Sequence, residues 1–325
     1  MEDKTVGAVR GGVAAACAAA ILGMAACGGG GGDGDGAATP SSVQALSASL
    51  SVGGWARTYQ AHVPAKADSA AALPLVIALH GGAGTGAGMR SLTSLDAVAD
   101  SNAFVVAYPD GYANSWADGR GTTDAEVAGV DDVAFMAALI DDIATRTPID
   151  RRRVYVTGIS NGGMMSLRLA CELSARVAAV APVAANMPSS LSARCAPTRA
   201  VPVMFMHGNE DRLMPRSGGT LTLGAGGDVD STSASVALWN ALNGCAASPS
   251  ATTTIDTVSD ATSIAFSRFG GCRGGVDNRF YDVVGGGHTW PGGLQYLGVA
   301  VIGRTSNDID ASREVWSFFS GVALP

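Results

Sequence analysis

From residue 55 to about residue 320 the chain alternates two hydrophobic patterns. Residues 75–79, 104–108, 154–157, 177–183 and 201–206 are short, unbroken apolar runs. This is the pattern of strands buried on both faces of a parallel sheet. Between them apolar positions recur at helical spacing. They do so around residues 92–100, at Val133, Met136, Ala137, Ile140 and Ile143 ahead of Pro148, and over 164–172 and 231–242. Strands and helices in alternation predict an α/β fold with a mostly parallel central sheet and helices on both faces. Residues 55–63 alternate more loosely and stop at Pro64, which predicts an early edge strand. Asp131-Asp132 opens the helix before Pro148, with Asp132 read as its N-cap, and Arg151-Arg152-Arg153 reads as a solvated turn. Residues 252–269 form a β-rich excursion and 279–284 a last strand. An amphipathic helix through Ile309, Val315, Trp316 and Phe319, opened by Asp308 or Asp310, covers the sheet.

The first residues follow neither pattern. Residues 1–27 read as an export signal, with Lys4 and Arg10 ahead of a small, apolar stretch too short for a comfortable membrane span. The signal ends Leu22-Gly23-Met24-Ala25-Ala26-Cys27, which resembles a bacterial lipobox with Met24 where the strongest form has Leu. Cys27 is the expected lipidation site, and ordinary signal-peptide cleavage is the alternative. Residues 28–47 are glycine-rich and predict a flexible tether, leaving 48–325 as one domain. The mature protein is expected outside the cytoplasm, free or anchored at the cell envelope.

Composition narrows the class. Over 325 residues, 47% hydrophobic and 15% charged is the balance of a well-cored protein, and a net charge of -7 offers no surface for nucleic acid. Beyond Cys17 and Cys27, four cysteines remain, and proximity pairs Cys171 with Cys195 and Cys245 with Cys272. No Cys-x-x-Cys or His-x-x-x-His spacing occurs, so neither a metal nor a cofactor is expected. A monomer is expected.

The chemistry gathers on Gly158-Ile159-Ser160-Asn161-Gly162-Gly163. A β-branched run enters this turn and a helix-compatible run leaves it, the setting of a nucleophile elbow with Ser160 as nucleophile. Residues 75–79 end in His80-Gly81-Gly82, a glycine-rich loop able to turn a backbone N–H toward a substrate carbonyl. Asn161 and Gly82 are therefore the expected oxyanion donors, and His80 reads as a buried core histidine. Residues 201–206 end in His207-Gly208-Asn209-Glu210-Asp211, where Glu210 and Asp211 are both candidate acids. Only four histidines exist, and His288 alone follows both the serine and the acid, in the order α/β-hydrolases use. Trp116 sits in a polar loop after the second buried strand, as a pocket wall or an anchor. Residues 184–200 leave too little chain for a helical lid, so an open cleft without interfacial activation is expected.

The sequence resembles the polyhydroxybutyrate-depolymerase-like esterases, a family that includes feruloyl and acetylxylan esterases. The matching words are Leu79-His80-Gly81, Tyr108-Pro109-Asp110-Gly111, Val130-Asp131-Asp132-Val133 and Gly158-Ile159-Ser160-Asn161-Gly162-Gly163-Met164-Met165. His207-Gly208 with Asp211, and Gly286-Gly287-His288-Thr289-Trp290-Pro291-Gly292, complete them. The resemblance implies an α/β-hydrolase fold, a triad of Ser160, Asp211 and His288, and Asp211 over Glu210 as the acid. It also implies Trp290 and Trp116 near the acyl site. Many members carry Cys where this chain has Gly82, which keeps the backbone donor without a disulfide. The activity it implies is hydrolysis of hydroxyalkanoate esters, with feruloyl or acetylxylan esters as the alternative. Extracellular polymer depolymerases of this family usually add a linker and a polymer-binding domain, which are not expected here, so oligomers and small esters are the expected substrates rather than solid polymer. The reading from a different class is a non-catalytic surface-binding lipoprotein on the same fold.

Overall fold

The computed structural model describes residues 44–65 and 71–325. The expected export signal, Cys27 and most of the tether lie outside those residues. Among the described residues the strands are β1 Gln44–Val52, β2 Trp55–Val63, β3 Leu73–Leu79, β4 Val105–Pro109, β5 Ile149–Ile159 and β6 Ala179–Val183. They continue as β7 Met204–Gly208, β8 Gly219–Thr220, β9 Asp228–Val229, β10 Ala251–Ile255, β11 Ser263–Phe269 and β12 Asn278–Val284. The helices are α1 Gly86–Thr93, α2 Leu95–Asn102, α3 Asp124–Val127, α4 Asp132–Arg146 and α5 Asn161–Glu172. After them come α6 Ser189–Ser192, α7 Thr232–Asn243, α8 Val299–Ile302 and α9 Ala311–Phe319.

Ten strands form one sheet in the order β1-β2-β4-β3-β5-β6-β7-β12-β11-β10. From β4 to β12 every neighbouring pair is parallel, and antiparallel pairs extend both edges. The unbroken apolar runs are explained by the two-residue side-chain period. In β3, Leu75, Ile77 and Leu79 face a core shared with Phe135, Leu139 and Ile143 of α4. Val76 and Ala78 face the opposite core, with Val98 of α2 and Val315 and Phe319 of α9. There Tyr155 stacks on Phe319 at 4.7 Å and Phe104 on Trp316 at 4.0 Å.

Several boundaries differ from expectation. Residues 55–63 are not the edge: β1 pairs antiparallel along all of β2, from Gln44 opposite Val63 to Val52 opposite Trp55. The expected tether therefore gives way to sheet at Gln44. The signal was present, because Leu46, Ala48, Leu50 and Val52 alternate with exposed Ser and Ala. Gly53-Gly54, at φ 58° and 85°, makes the tight two-residue turn that only a pair of positive-φ residues allows. The cap of α4 is Asp131, whose Oδ1 accepts from the Ala134 N–H at 2.9 Å. Asp132 is buried instead, ion-paired at 2.6 Å with Arg57. Arg151, Arg152 and Arg153 lie in β5 rather than in a turn, Arg153 pairing with Asp150 at 2.7 Å. The expected single helix at 92–100 is two helices meeting at Ser94, which takes φ 50°. Both expected disulfides form, Cys171–Cys195 behind the elbow helix and Cys245–Cys272 beside β11.

Candidate active site

The elbow occupies the step from β5 to α5. Ser160 stands between them at φ 58° and ψ -121°, a backbone state costly for any residue with a Cβ. Its N–H donates to the Val183 carbonyl at 2.9 Å, and its own carbonyl accepts from the Met164 N–H at 2.9 Å. A Cβ on Gly162 would lie 2.4 Å from the Leu79 carbonyl oxygen and 2.5 Å from that of His80, so the helix meets the end of β3 backbone to backbone. The Ser160 hydroxyl has no hydrogen-bond partner among the described residues. Ser160 and His288 both line a cleft of about 810 Å³.

Asp211 and His288 meet although 77 residues separate them. Asp211 lies in the loop after β7, where its Oδ1 accepts from the Leu213 and Met214 N–H groups at 2.9 and 2.8 Å. Its Oδ2 faces His288 Nδ1 at 2.7 Å. An ionised carboxylate only accepts, so this contact places the imidazole proton on Nδ1 and leaves Nε2 with its lone pair free. The approach depends on Gly208, where a Cβ would stand 2.4 Å from the carbonyl oxygens of both Gly286 and Gly287. Glu210, the other candidate acid, is turned away: its side chain is 61% exposed and faces Arg304 at 4.0 Å.

The loop after β3 runs past the elbow, where a Cβ on Gly81 would lie 3.5 Å from Ser160 Cβ. A Cβ on Gly82 would lie 3.9 Å from Asn161 Cβ, so the two expected oxyanion donors are neighbours. The N–H of Asn161 is the first of α5 and has no acceptor within the helix. The Asn161 side chain is bound on both ends: Oδ1 accepts from Trp116 N at 2.8 Å, and Nδ2 donates to Trp116 O at 3.0 Å.

His80 and His207 are core histidines, as expected. His80 Nε2 accepts from the Gly111 N–H at 2.9 Å, so its Nδ1 carries the proton toward the Gly81 carbonyl at 2.7 Å. His207 donates from Nε2 to the Met214 carbonyl at 3.0 Å, behind Asp211. Burial pushes both imidazoles below the ordinary histidine range. The unfolded chain takes up protons near pH 6.5 while the folded protein does not, so the stability these groups provide is present above that pH and lost as pH falls below it. Buried Asp118 and Asp132 are pushed upward and act in the opposite sense. Replacing His207 by Gln, which still donates to Met214, is therefore expected to flatten the acid-side loss by up to about 1.4 kcal/mol per pH unit. Urea unfolding of both proteins near pH 7.5 and pH 5.5 measures this, and parallel curves would contradict it.

The tryptophans do not form the pocket wall. Trp116 and Trp290 are fully buried, Trp116 donating from Nε1 to the His80 carbonyl at 2.9 Å and Trp290 to Ser312 Oγ at 3.1 Å. Both are struts behind the cleft, because each indole N–H finds its partner only inside the body. The wall comes from residues not singled out in the sequence: Met89, Leu92, Leu213, Leu221 and Leu223, with Tyr296. Residues 213–223 belong to the excursion between β7 and α7, whose glycines and lone leucines carry no period. Tyr296 OH donates to the His288 carbonyl at 2.8 Å. Between β6 and β7 the only helix among the described residues is the four-residue α6, and the cleft stays open, with Leu223 57% exposed at its rim.

A doubly wound sheet with a strained serine and a carboxylate-bound histidine at one cleft is the architecture of the α/β-hydrolase class. The family described as Esterase PHB depolymerase matches residues 57–211. A protein of Nocardia uniformis subsp. tsuyamanensis that bears the name "Putative esterase NocK" is 31% identical over 290 residues, covering 83% of this chain and 81% of that protein. The chain belongs to the PHB depolymerase esterase family and is a carboxylic ester hydrolase. Feruloyl esterase B of Piromyces equi is 28% identical over 225 residues, 67% of this chain but 40% of that protein. Among solved structures, the acetyl xylan esterase from Aspergillus awamori superposes with a TM-score of 0.55 at 15% identity, over 85% of this chain and 99% of that one. That likeness is one of fold.

Proposed function

We propose that the protein is an exported serine carboxylesterase that hydrolyses hydroxyalkanoate esters of the 3-hydroxybutyrate type through Ser160, His288 and Asp211. The observation that carries the reading is the 2.7 Å contact from Asp211 to His288 Nδ1, which leaves Nε2 as a base in the cleft that Ser160 enters. His288 takes the Ser160 proton as Oγ attacks the ester carbonyl, and the N–H groups of Asn161 and Gly82 receive the oxyanion. The imidazolium, balanced by Asp211, returns the proton to the departing alkoxide, and water repeats the sequence on the acyl-enzyme. The aliphatic and thioether walls of the cleft suit a short branched acyl group. Export is supported by the character of residues 1–27 and by two disulfides, which persist in oxidising compartments. Lipidation of Cys27 belongs to the same proposal.

A second reading, a feruloyl or acetylxylan esterase, is favoured by the similarity to feruloyl esterase B. Purified protein is to be compared on 3-hydroxybutyrate oligomers, polymer film, methyl ferulate, acetylated xylan and short p-nitrophenyl esters. The expected order places the hydroxybutyrate oligomers at least about tenfold above methyl ferulate in kcat/KM, a difference of about 1.4 kcal/mol. A higher value on ferulate or acetylxylan selects the second reading, and no turnover of any ester, with no labelling by a fluorophosphonate, overturns the enzymatic one.

A further inference from the structure

Against the wall of the cleft, which Arg120 helps to line, lies a shielded ion pair with no part in the proton transfers above. The Asp118 side chain is fully shielded from solvent and that of Arg120 is 5% exposed. Arg120 Nε approaches both Asp118 oxygens, at 3.1 and 3.0 Å, and Nη2 approaches Oδ2 at 2.8 Å. Burial pushes the Asp118 carboxyl upward, and the Arg120 guanidinium opposes it. The same Oδ2 accepts from Asn161 Nδ2 at 2.6 Å. From its other side Arg120 donates through Nη1 to the Gly226 carbonyl at 2.6 Å, tying the pair to the excursion that carries Leu221 and Leu223.

This placement matters because the Asn161 N–H has no side chain of its own to aim it. Its direction is set by ψ of Ser160 and φ of Asn161, and Ser160 sits in a backbone state that persists only where its surroundings over-determine it. On the strand side the turn is held by the Val183 carbonyl and the glycine contacts. On the helix side it is held through the Asn161 amide, whose three hydrogen bonds end on Trp116 and Asp118. The Trp116 bonds tie Asn161 to a loop, and the Asp118 bond ties it to a buried charge pair.

We propose that Asp118 is a positioning residue for ester hydrolysis, acting through Asn161 to aim the oxyanion-binding N–H and to hold the Ser160 turn. The proposal rests on the reading of Ser160 and Asn161 given above. A donor displaced by a few tenths of an ångström still lets substrate bind but meets the developing charge less well, so the effect falls on turnover.

The test is steady-state kinetics on a short p-nitrophenyl ester, with binding of an aryl trifluoromethyl ketone that forms a tetrahedral adduct on serine. Asp118→Ala is expected to lower kcat about 10- to 100-fold with KM within about twofold, and to weaken the ketone by the same factor. Asn161→Ala should lower kcat comparably, and the double variant should be no slower than the slower single one. Asp118→Asn, which keeps an acceptor oxygen, should return kcat to within about fivefold of wild type. If Asp118→Ala does not fold, Asp118→Leu/Arg120→Met removes the acceptor without stranding a buried charge and carries the same expectation for kcat relative to Arg120→Met alone, the reference that accounts for the cleft-lining Arg120. Wild-type kcat in these variants, a loss matched by KM, or additivity with Asn161→Ala overturns the proposal. With wild type active and Ser160→Ala inactive, such a result would overturn the role of Asp118 alone, whereas an inactive wild type overturns the reading beneath it.

Discussion

Ser160→Ala is expected to lower kcat/KM on any ester the protein hydrolyses by about 10⁴-fold or more, leave its thermal unfolding unchanged, and abolish labelling by a fluorophosphonate. The size follows from what the residue does in the proposed reaction: without Oγ there is no acyl-enzyme, and only the oxyanion donors and substrate binding remain. His288→Ala should cost a similar factor and not add to Ser160→Ala, since the two act as a unit. Asp211→Asn is the more informative variant. The Leu213 and Met214 N–H groups keep the amide oxygen on their side, so the Asn Nδ2 faces His288 Nδ1 and donates to it, and the imidazole proton is driven to Nε2, where it blocks proton abstraction. A loss of about 10⁴-fold in kcat is expected, recovering at high pH as hydroxide and ionised serine bypass the base. Steady-state assays from about pH 6 to pH 10 measure it. Near-normal kcat in Asp211→Asn would move the acid elsewhere.

The second large effect concerns backbone approach. Gly162→Ala places a methyl 2.4 Å from one carbonyl oxygen and 2.5 Å from the next, both in the main chain at the end of β3. Nothing there swings aside like a side chain, so either α5 or the β3 terminus must move, and each carries part of the site. A loss of roughly 3–5 kcal/mol in stability is expected, with activity falling at least as far as for a displaced oxyanion donor. Gly298→Ala is the control, because a Cβ there meets nothing within 4 Å and should change stability by less than about 0.5 kcal/mol. Urea unfolding of the two variants beside wild type decides the matter. Equal stability of Gly162→Ala and wild type would mean that β3 and α5 are less tightly apposed than described.

These effects also separate what a chain reveals locally from what it does not. The parallel strands were legible because burial on both faces demands unbroken apolar runs, and the runs at 75–79 and 154–157 fall inside β3 and β5. The elbow was legible because a serine at positive φ between strand and helix needs glycine neighbours at fixed offsets. The pairing of four cysteines followed proximity. By contrast the tether expected to run to residue 47 overlaps the first four residues of β1, though the period-two alternation and Gly53-Gly54 mark a hairpin. The apolar face of β1 is only half buried and every second residue is an exposed Ser or Ala, so the local hydrophobic pattern is weak.

The choice between Asp132 and Asp131 as cap, and between Glu210 and Asp211 as acid, turned on neighbours distant in sequence. Asp132 is buried by Arg57, which arrives from β2, and Glu210 is carried outward while the N–H groups of Leu213 and Met214 draw Asp211 inward. Trp116 and Trp290 were expected at the acyl site and stand behind it, since His80 and Ser312 offer their indoles acceptors inside the body. Local sequence determined the strand and helix alternation, the strained serine and the glycine-rich loops, because periodicity and φ preferences act over a few residues. The tertiary structure alone decided that Asp118 reaches Asn161 and that Leu213, Leu221 and Leu223 wall the cleft, because burial and charge pairing depend on which segments the assembled sheet brings together.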